Sequence, residues 1–174
     1  NKAGAKFNWE KLNWINSQYI KKMELTQLCK FNKNYWNEMG WESPSTEWDL
    51  KLTNLIQDSM ILLKDAIDQS KPFFILSQMK KEGEEFLKNK KEAKESLKYI
   101  LFYLKEENIT KINKDNAREI INKITVNHSI KKGILMKSLR VAFFGCLSGP
   151  DLIQSWELFS ENKIDIPLIE RCFI

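Results

Sequence analysis

Apolar residues return every three or four positions along almost the whole of this 174-residue chain, with no set of alternating strands to pair, and that period commits it to helices. In "WEKLNWINSQYIKKM", Leu12, Ile15, Tyr19 and Met23 fall on one stripe, and "ELTQLCKFNKNYWNEMG" is a second helix with Gly40 as its stop. "SPSTEWDLKLTNLIQDSMILLKDAIDQS" starts at Ser45 or Thr46, with Glu47 and Asp49 in the first turn, where the helix dipole favours acids. Leu52, Leu55, Ile56, Met60 and Leu63 make its buried stripe, and Pro72 is predicted to end or kink it. "KKEGEEFLKNKKEAKE", 80–95, reads as a charged surface segment, and "ESLKYILFYLKEENI" as an amphipathic helix. "TKINKDNAREIINKITVNHSI" offers Asn113 or Asp115 as cap and Ala117, Ile120, Ile121 and Ile124 as its apolar face. The expected fold class is all-α.

The stretch "LRVAFFGCLSGPDL", 139–152, breaks the pattern by setting one arginine in an apolar run that ends in Gly, Cys, Leu, Ser, Gly, Pro and Asp. A helix from Lys131 to Phe144 is expected to stop at Gly145, and another to begin at Pro150 with Ser148 or Gly149 as N-cap. A short helix starting at Pro167 closes the chain. The free N–H groups at the Pro150 end would attract an anion or a base carbonyl. Arg140, about one and a half turns before Gly145, could turn its planar donor fork on the same place and on a base edge. The structural alternative, equally open at this point, is an arginine that pairs with Asp151 or caps a helix.

Charge is distributed in blocks, about +4 over 1–40, −4 over 41–70, +6 over 71–132 and −1 over 133–174, giving +5 in all. A polyanion would be attracted to some faces only. Cys29, Cys146 and Cys172 are odd in number and far apart, which argues against a disulfide framework or a zinc site and for a reducing compartment. No apolar run approaches the roughly 18 residues of a membrane span. The chain opens on "NKAGAKFNW" without Met, and the expectation is a piece of something longer.

Chemistry is harder to find. The sole histidine, His128 in "TVNHSI", reads as a helix-terminal or surface residue and is given no catalytic role. The carboxylates lie mostly among lysines, and no HExxH, GxSxG or phosphate-loop motif occurs. The chain by itself is expected to have no enzymatic activity. Four of the six tryptophans crowd the first 41 residues; Trp14 and Trp36 are assigned to the core, and Trp9 and Trp41 are left open between core and base stacking.

"NKAGAKFNWEKLNWINSQYI" and, later, "KSLRVAFFGCLSGPDLIQSWELF" resemble, in that order, two motifs of the C-terminal half of bacterial-type glutamyl-tRNA synthetases, class I enzymes, with a leaning to the cyanobacterial or plastid branch. The resemblance covers essentially the whole chain, more loosely over 76–130. It implies an all-helical anticodon-binding cage of two subdomains within a larger enzyme. Residues 1–23 would end the stem-contact region, 24–75 form the first helical subdomain and 76–174 the second. The catalytic signatures are absent, so ATP and Mg2+ would serve the full-length enzyme and no cofactor is expected here. The partners implied are tRNA-Glu and possibly tRNA-Gln, with no membrane and no DNA, in a monomer of the cytoplasm or plastid stroma.

Carried over residue by residue, Arg140 matches the motif arginine that contacts anticodon bases, and Gly149, Pro150 and Leu152 match the turn lining the same base pockets. Two departures stand out: Ser138 where the family has Pro, expected to loosen the approach to Arg140, and Phe143-Phe144 where it has Leu-Thr. A family site that separates tRNA-Glu from tRNA-Gln by an arginine falls near Ser59, with no arginine before Arg118, which implies a non-discriminating type. The rival readings are a helical protein-interaction module without nucleic acid, and a DNA-binding helix-turn-helix over Lys131 to Phe159. The second is weakened because "PDLIQSWELF" carries Asp151 and Glu157 and no basic residue.

Overall fold

The side chain of Asn8 accepts the backbone N–H of Lys11 at 3.1 Å and starts α1 (Trp9–Lys22); the Glu24 carboxylate accepts the Thr26 and Gln27 amides and starts α2 (Leu25–Glu38). This computed structural model describes residues 8–174, so the opening NKAGAKF of the first motif lies outside the described residues. Among the described residues there are ten α-helices and a closing 3-10 turn, and no strand. They fall into two compact units, one ending at Ser70 and the other Lys71–Ile174.

In the first unit, Ser45 caps α3 (Thr46–Gln57) by accepting the Trp48 amide at 3.2 Å, and Gly40 (φ +70) ends the α2 region in the left-handed conformation. Leu28 and Trp36 of α2 pack with Trp48, Leu52 and Ile56 of α3 and with Met60 in a core exposed by 1% or less; Trp36 and Trp48 meet edge-on, 6.4 Å between centroids. The stripe expected on α1 is not the buried one. Tyr19 of that stripe is 73% exposed, and Trp14, assigned to the core from the sequence, is 64% exposed, while Ile20 is the buried residue of this helix. Trp41, left open by the sequence, is buried, and Trp9 is exposed. At its C-terminal end α1 is held by the Gln57 side-chain amide, which donates to the carbonyls of Ile20 and Met23 at 2.9 and 3.0 Å.

The helix read through to Ser70 instead ends at Gln57. The Ser59 hydroxyl donates to the Ile56 carbonyl at 2.7 Å, and the Asp65 carboxylate accepts the amides of Ile61 and Leu62, both at 2.8 Å. These side chains offer the backbone local partners that compete with the helical ladder. The chain resumes as α4 (Asp65–Phe74), which crosses the division between the units and contains Pro72 rather than ending at it.

The second unit is built around α8 (Lys132–Phe144), which touches α5 (Lys81–Asn89), α6 (Lys91–Glu106), α7 (Lys114–Asn127), α9 (Leu152–Glu161) and α10 (Asp165–Glu170). A helix with neighbours on every side must be apolar almost all round, and Leu135, Leu139, Val141, Ala142, Phe143 and Phe144 are all buried. Phe143 and Phe144 join Phe73, Trp156 and Phe159 in one aromatic cluster, with Phe73 stacked on Phe159 at 4.7 Å. Asn113 caps α7 in a reciprocal box with Asn116, and Ala117, Ile120, Ile121 and Ile124 are its buried face, as the spacing requires. The segment 80–95 is not surface alone. It folds as α5 and the start of α6, burying Gly83, Leu87 and Ala93 while its lysines and glutamates remain outside. Pro167 is the third residue of α10 rather than its first.

All three cysteines are free and buried. Burial pushes the Cys172 thiol up to about 11 and raises that of Cys29 as well. At pH 8 only about a thousandth of Cys172 would be thiolate. We expect no alkylation of Cys172 by iodoacetamide at pH 8 in the folded chain, and rapid labelling once urea unfolds it, as peptide mass spectrometry would report.

Candidate nucleic-acid interface

Gly145 stops α8 in the left-handed conformation, φ +71, where residues with a Cβ are strained. Its N–H returns to the Val141 carbonyl at 2.9 Å, and its own carbonyl accepts the Lys80 amide at 2.8 Å from the segment entering α5. The turn that follows is held from three sides. The Glu82 carboxylate accepts the Leu147 amide at 3.3 Å, and the Cys146 thiol donates to the Ser148 carbonyl at 3.3 Å. Gly149, φ +156, lies so close over the Phe144 ring that a Cβ there would sit 2.8 Å from it. The Phe143-Phe144 departure is therefore structural: Phe144 is the floor on which Gly149 rests.

Arg140 is half-buried and reaches this turn. Its Nη1 donates to the carbonyls of both Gly149 and Pro150, at 3.0 and 2.9 Å. Among the described residues it forms no ion pair with Asp151, the partner offered by the structural alternative, and hydrogen-bonds to them through Nη1 alone. One nitrogen thus anchors the guanidinium while Nε and Nη2 keep donors for a planar acceptor pair. Ser138, standing where the family pattern has Pro, is buried inside α8 with its hydroxyl on the Ile134 carbonyl at 2.8 Å.

The entry to α9 differs from its sequence reading. Its N-cap is Asp151, accepting the Gln154 amide at 2.9 Å, and not Ser148 or Gly149; Pro150 precedes the helix. A carboxylate at that end takes one of the open N–H groups and places negative charge where an anion would otherwise go. The side-chain donors left open at this turn therefore belong to Arg140 and not to the helix terminus. Leu152 is buried at 1% exposure, so the turn presents exposed Ser148 and Gly149 and half-buried Pro150.

Arg140, Gly149 and Pro150 are thus joined in one hydrogen-bonded group, with Leu152 buried at the start of the next helix. Ser59 belongs to the first unit, exposed, its hydroxyl 2.5 Å from the Gln69 side-chain oxygen. His128 stacks on Tyr99 with ring centroids 3.6 Å apart. Among the described residues no group of three His, Cys, Asp or Glu could hold a metal ion, and no helix is long and apolar enough to cross a membrane. Every Lys and Arg from 71 to 132 is exposed, several paired with a glutamate one turn away. Glu82 is the member of the group that sequence reasoning missed. It lies 65 residues from the amide it holds and sits in a run of ordinary surface glutamates.

Residues 11–164 match the family described as the anticodon binding domain, and the chain belongs to that family. Its relatives include the glutamate–tRNA ligase of Prochlorococcus marinus subsp. pastoris (strain CCMP1986 / NIES-2087 / MED4), 94% identical over 173 residues, which cover 99% of this chain and 36% of the relative. That of Prochlorococcus marinus strain MIT 9515 is 81% identical over 174 residues, covering 100% and 36%. The chain therefore spans about a third of the length of these relatives, less than the half that the motifs alone implied. A crystal structure of glutamate-tRNA synthetase from Elizabethkingia anophelis aligns with TM-score 0.79 at 25% identity, over 99% of this chain and 33% of that one. A glutamate tRNA ligase from Elizabethkingia meningosepticum, at 24% identity and TM-score 0.86 over 99% and 33%, shares the fold.

Proposed function

We propose that this chain is the anticodon-reading part of a glutamate–tRNA ligase, with Arg140 and the turn 145–150 as its base reader. The observation that carries this is the guanidinium held by Nη1 on two carbonyls of an exposed turn, a preorganised fork for an unpaired base. The whole enzyme would attach glutamate to tRNA-Glu using ATP and Mg2+, which would serve the part of the enzyme outside this chain. In domain terms, 1–23 would end the stem-contact region, with 24–75 and 76–174 as the helical subdomains. The compact units divide a few residues earlier, at 70/71. With Ser59 where an arginine would discriminate, tRNA-Gln is accepted as well. The protein works as a soluble monomer on RNA and not on DNA, α9 having no basic residue to enter a groove.

The exposed lysines of 71–132 supply phosphate contacts, and the turn supplies sequence. Charge reversal of Lys90 and Lys94 together should weaken every tRNA alike and flatten the slope of log K against log[salt] by roughly 1 to 2, at about 0.7 to 0.9 per phosphate contact. Binding to tRNA-Glu, to the same tRNA with all three anticodon bases changed, and to tRNA-Gln across a salt series tests the proposal. A preference for the native anticodon with near-equal affinity for tRNA-Gln is the expected result. Equal affinity for all three would remove the anticodon assignment, and indifference to salt would favour a protein-interaction module instead.

A further inference from the structure

Arg171, in the closing 3-10 turn Arg171–Phe173, sends its guanidinium to the end of α8. Nε and Nη2 donate to the Ala142 carbonyl at 3.2 and 2.7 Å, and Nη1 donates to the carbonyl of Ser77. The carbonyls of the last helical turn have no ladder partner. Ala142 is buried, and its ladder donor would be the amide of Cys146, which lies past the left-handed Gly145. Arg171 takes that place. Its charge meets no carboxylate among the described residues and rests on carbonyl oxygens at the negative end of the α8 dipole.

Ala142 is two residues beyond Arg140, about 3 Å further along the axis. Ser77 lies on the segment whose Lys80 amide holds the Gly145 carbonyl and which leads into Glu82, the holder of Leu147. One guanidinium therefore ties the last turn of α8 to the segment that braces the turn 145–150. We propose that Arg171 is a positioning residue for anticodon reading: its fork fixes the α8 end and thereby the angle at which Arg140 faces a base. It touches no RNA itself. The inference rests on the assignment of Arg140 to the anticodon and adds a dependence on the last four residues of the chain.

The test compares Arg171→Ala and Arg171→Lys with the parent in the full 174-residue chain, measuring affinity for tRNA-Glu and for its anticodon-changed form, with circular dichroism at the assay temperature. For Arg171→Ala, the preference for the native anticodon should fall by roughly fivefold or more, the loss expected when one base contact is misplaced. Affinity for the changed tRNA and its salt slope should stay at the parent's value, which a general loss of structure would not allow. Arg171→Lys keeps the charge without the fork and should lose part of the preference; it carries the test if the alanine variant does not fold. Adding Arg140→Ala to Arg171→Ala should cost little more than Arg140→Ala alone, because both act on one contact. A folded Arg171 variant with the parent's preference, or additive losses in the double variant, would overturn the inference. A parent without any anticodon preference would instead strike the assignment of Arg140, and this inference with it.

Discussion

Gly145→Ala lowers the thermal midpoint of the second unit more than any surface substitution. The left-handed conformation at φ +71 costs a residue with a Cβ about 1–2 kcal/mol. The added methyl would also sit 2.3 Å from the Gln78 carbonyl oxygen and 3.1 Å from its carbon. These are backbone atoms and cannot rotate away, so the segment 78–80 must move and give up the Lys80–Gly145 bond. Overpacking of this kind costs about 1–3 kcal/mol, so the sum is roughly 2–5 kcal/mol. For a unit of this size that is a fall on the order of 10–20 °C, measurable by differential scanning calorimetry. Gly133→Ala is the control. A Cβ at Gly133 meets nothing within 4 Å, and that variant should melt at or slightly above the parent's temperature. Equal midpoints for Gly145→Ala and the parent would mean that the turn is free to relax, and the rigid presentation of Arg140 would lose its basis.

Arg140→Ala should abolish discrimination of the native anticodon while leaving general tRNA affinity in place. A bidentate base contact is worth about 1–3 kcal/mol, so the ratio of affinities for native and changed anticodons should fall roughly 5- to 150-fold. Arg140→Lys should not restore it. An ammonium is a point donor and cannot hold two carbonyls while offering a second, coplanar pair to a base. Removing Arg140 also frees the carbonyls of Gly149 and Pro150, so melting is recorded beside binding. If Arg140→Ala weakened native and changed tRNAs by the same factor, Arg140 would be a phosphate contact or a structural residue, and the base reader would have to be sought elsewhere.

Much of the helical frame is legible in the sequence because its signals act over three or four residues. Ser45, Asn113, Gly40 and Gly145 perform the capping roles that their positions foretold, and the four apolar residues of α7 are its buried face. The same local logic misleads where two local answers compete. Asp58 to Lys64 have helical spacing, yet Ser59 and Asp65 satisfy the backbone from the side and break the helix. Pro150 suits a first turn, yet Asp151, one residue on, makes the cap. Tyr19 shares a helical spacing with Ile15 and Met23 but is left outside, since periodicity names a face and not what covers it.

The candidate site divides along the same line. That an arginine precedes a Gly-rich turn by a few residues, and that the turn must separate two helices, follows from residues 139–152 alone. That the arginine points at the carbonyls of Gly149 and Pro150 rather than at Asp151 was open in the sequence and is decided by the folded turn. The two groups that brace it come from far away, Glu82 across 65 residues and Arg171 across 94 to Ser77. Capping is an interaction between near neighbours and the apolar period is a spacing along the chain, so a sequence displays both before any packing. Which carbonyl at a helix end lacks a partner, and which distant side chain supplies one, exists only after packing has brought the two together.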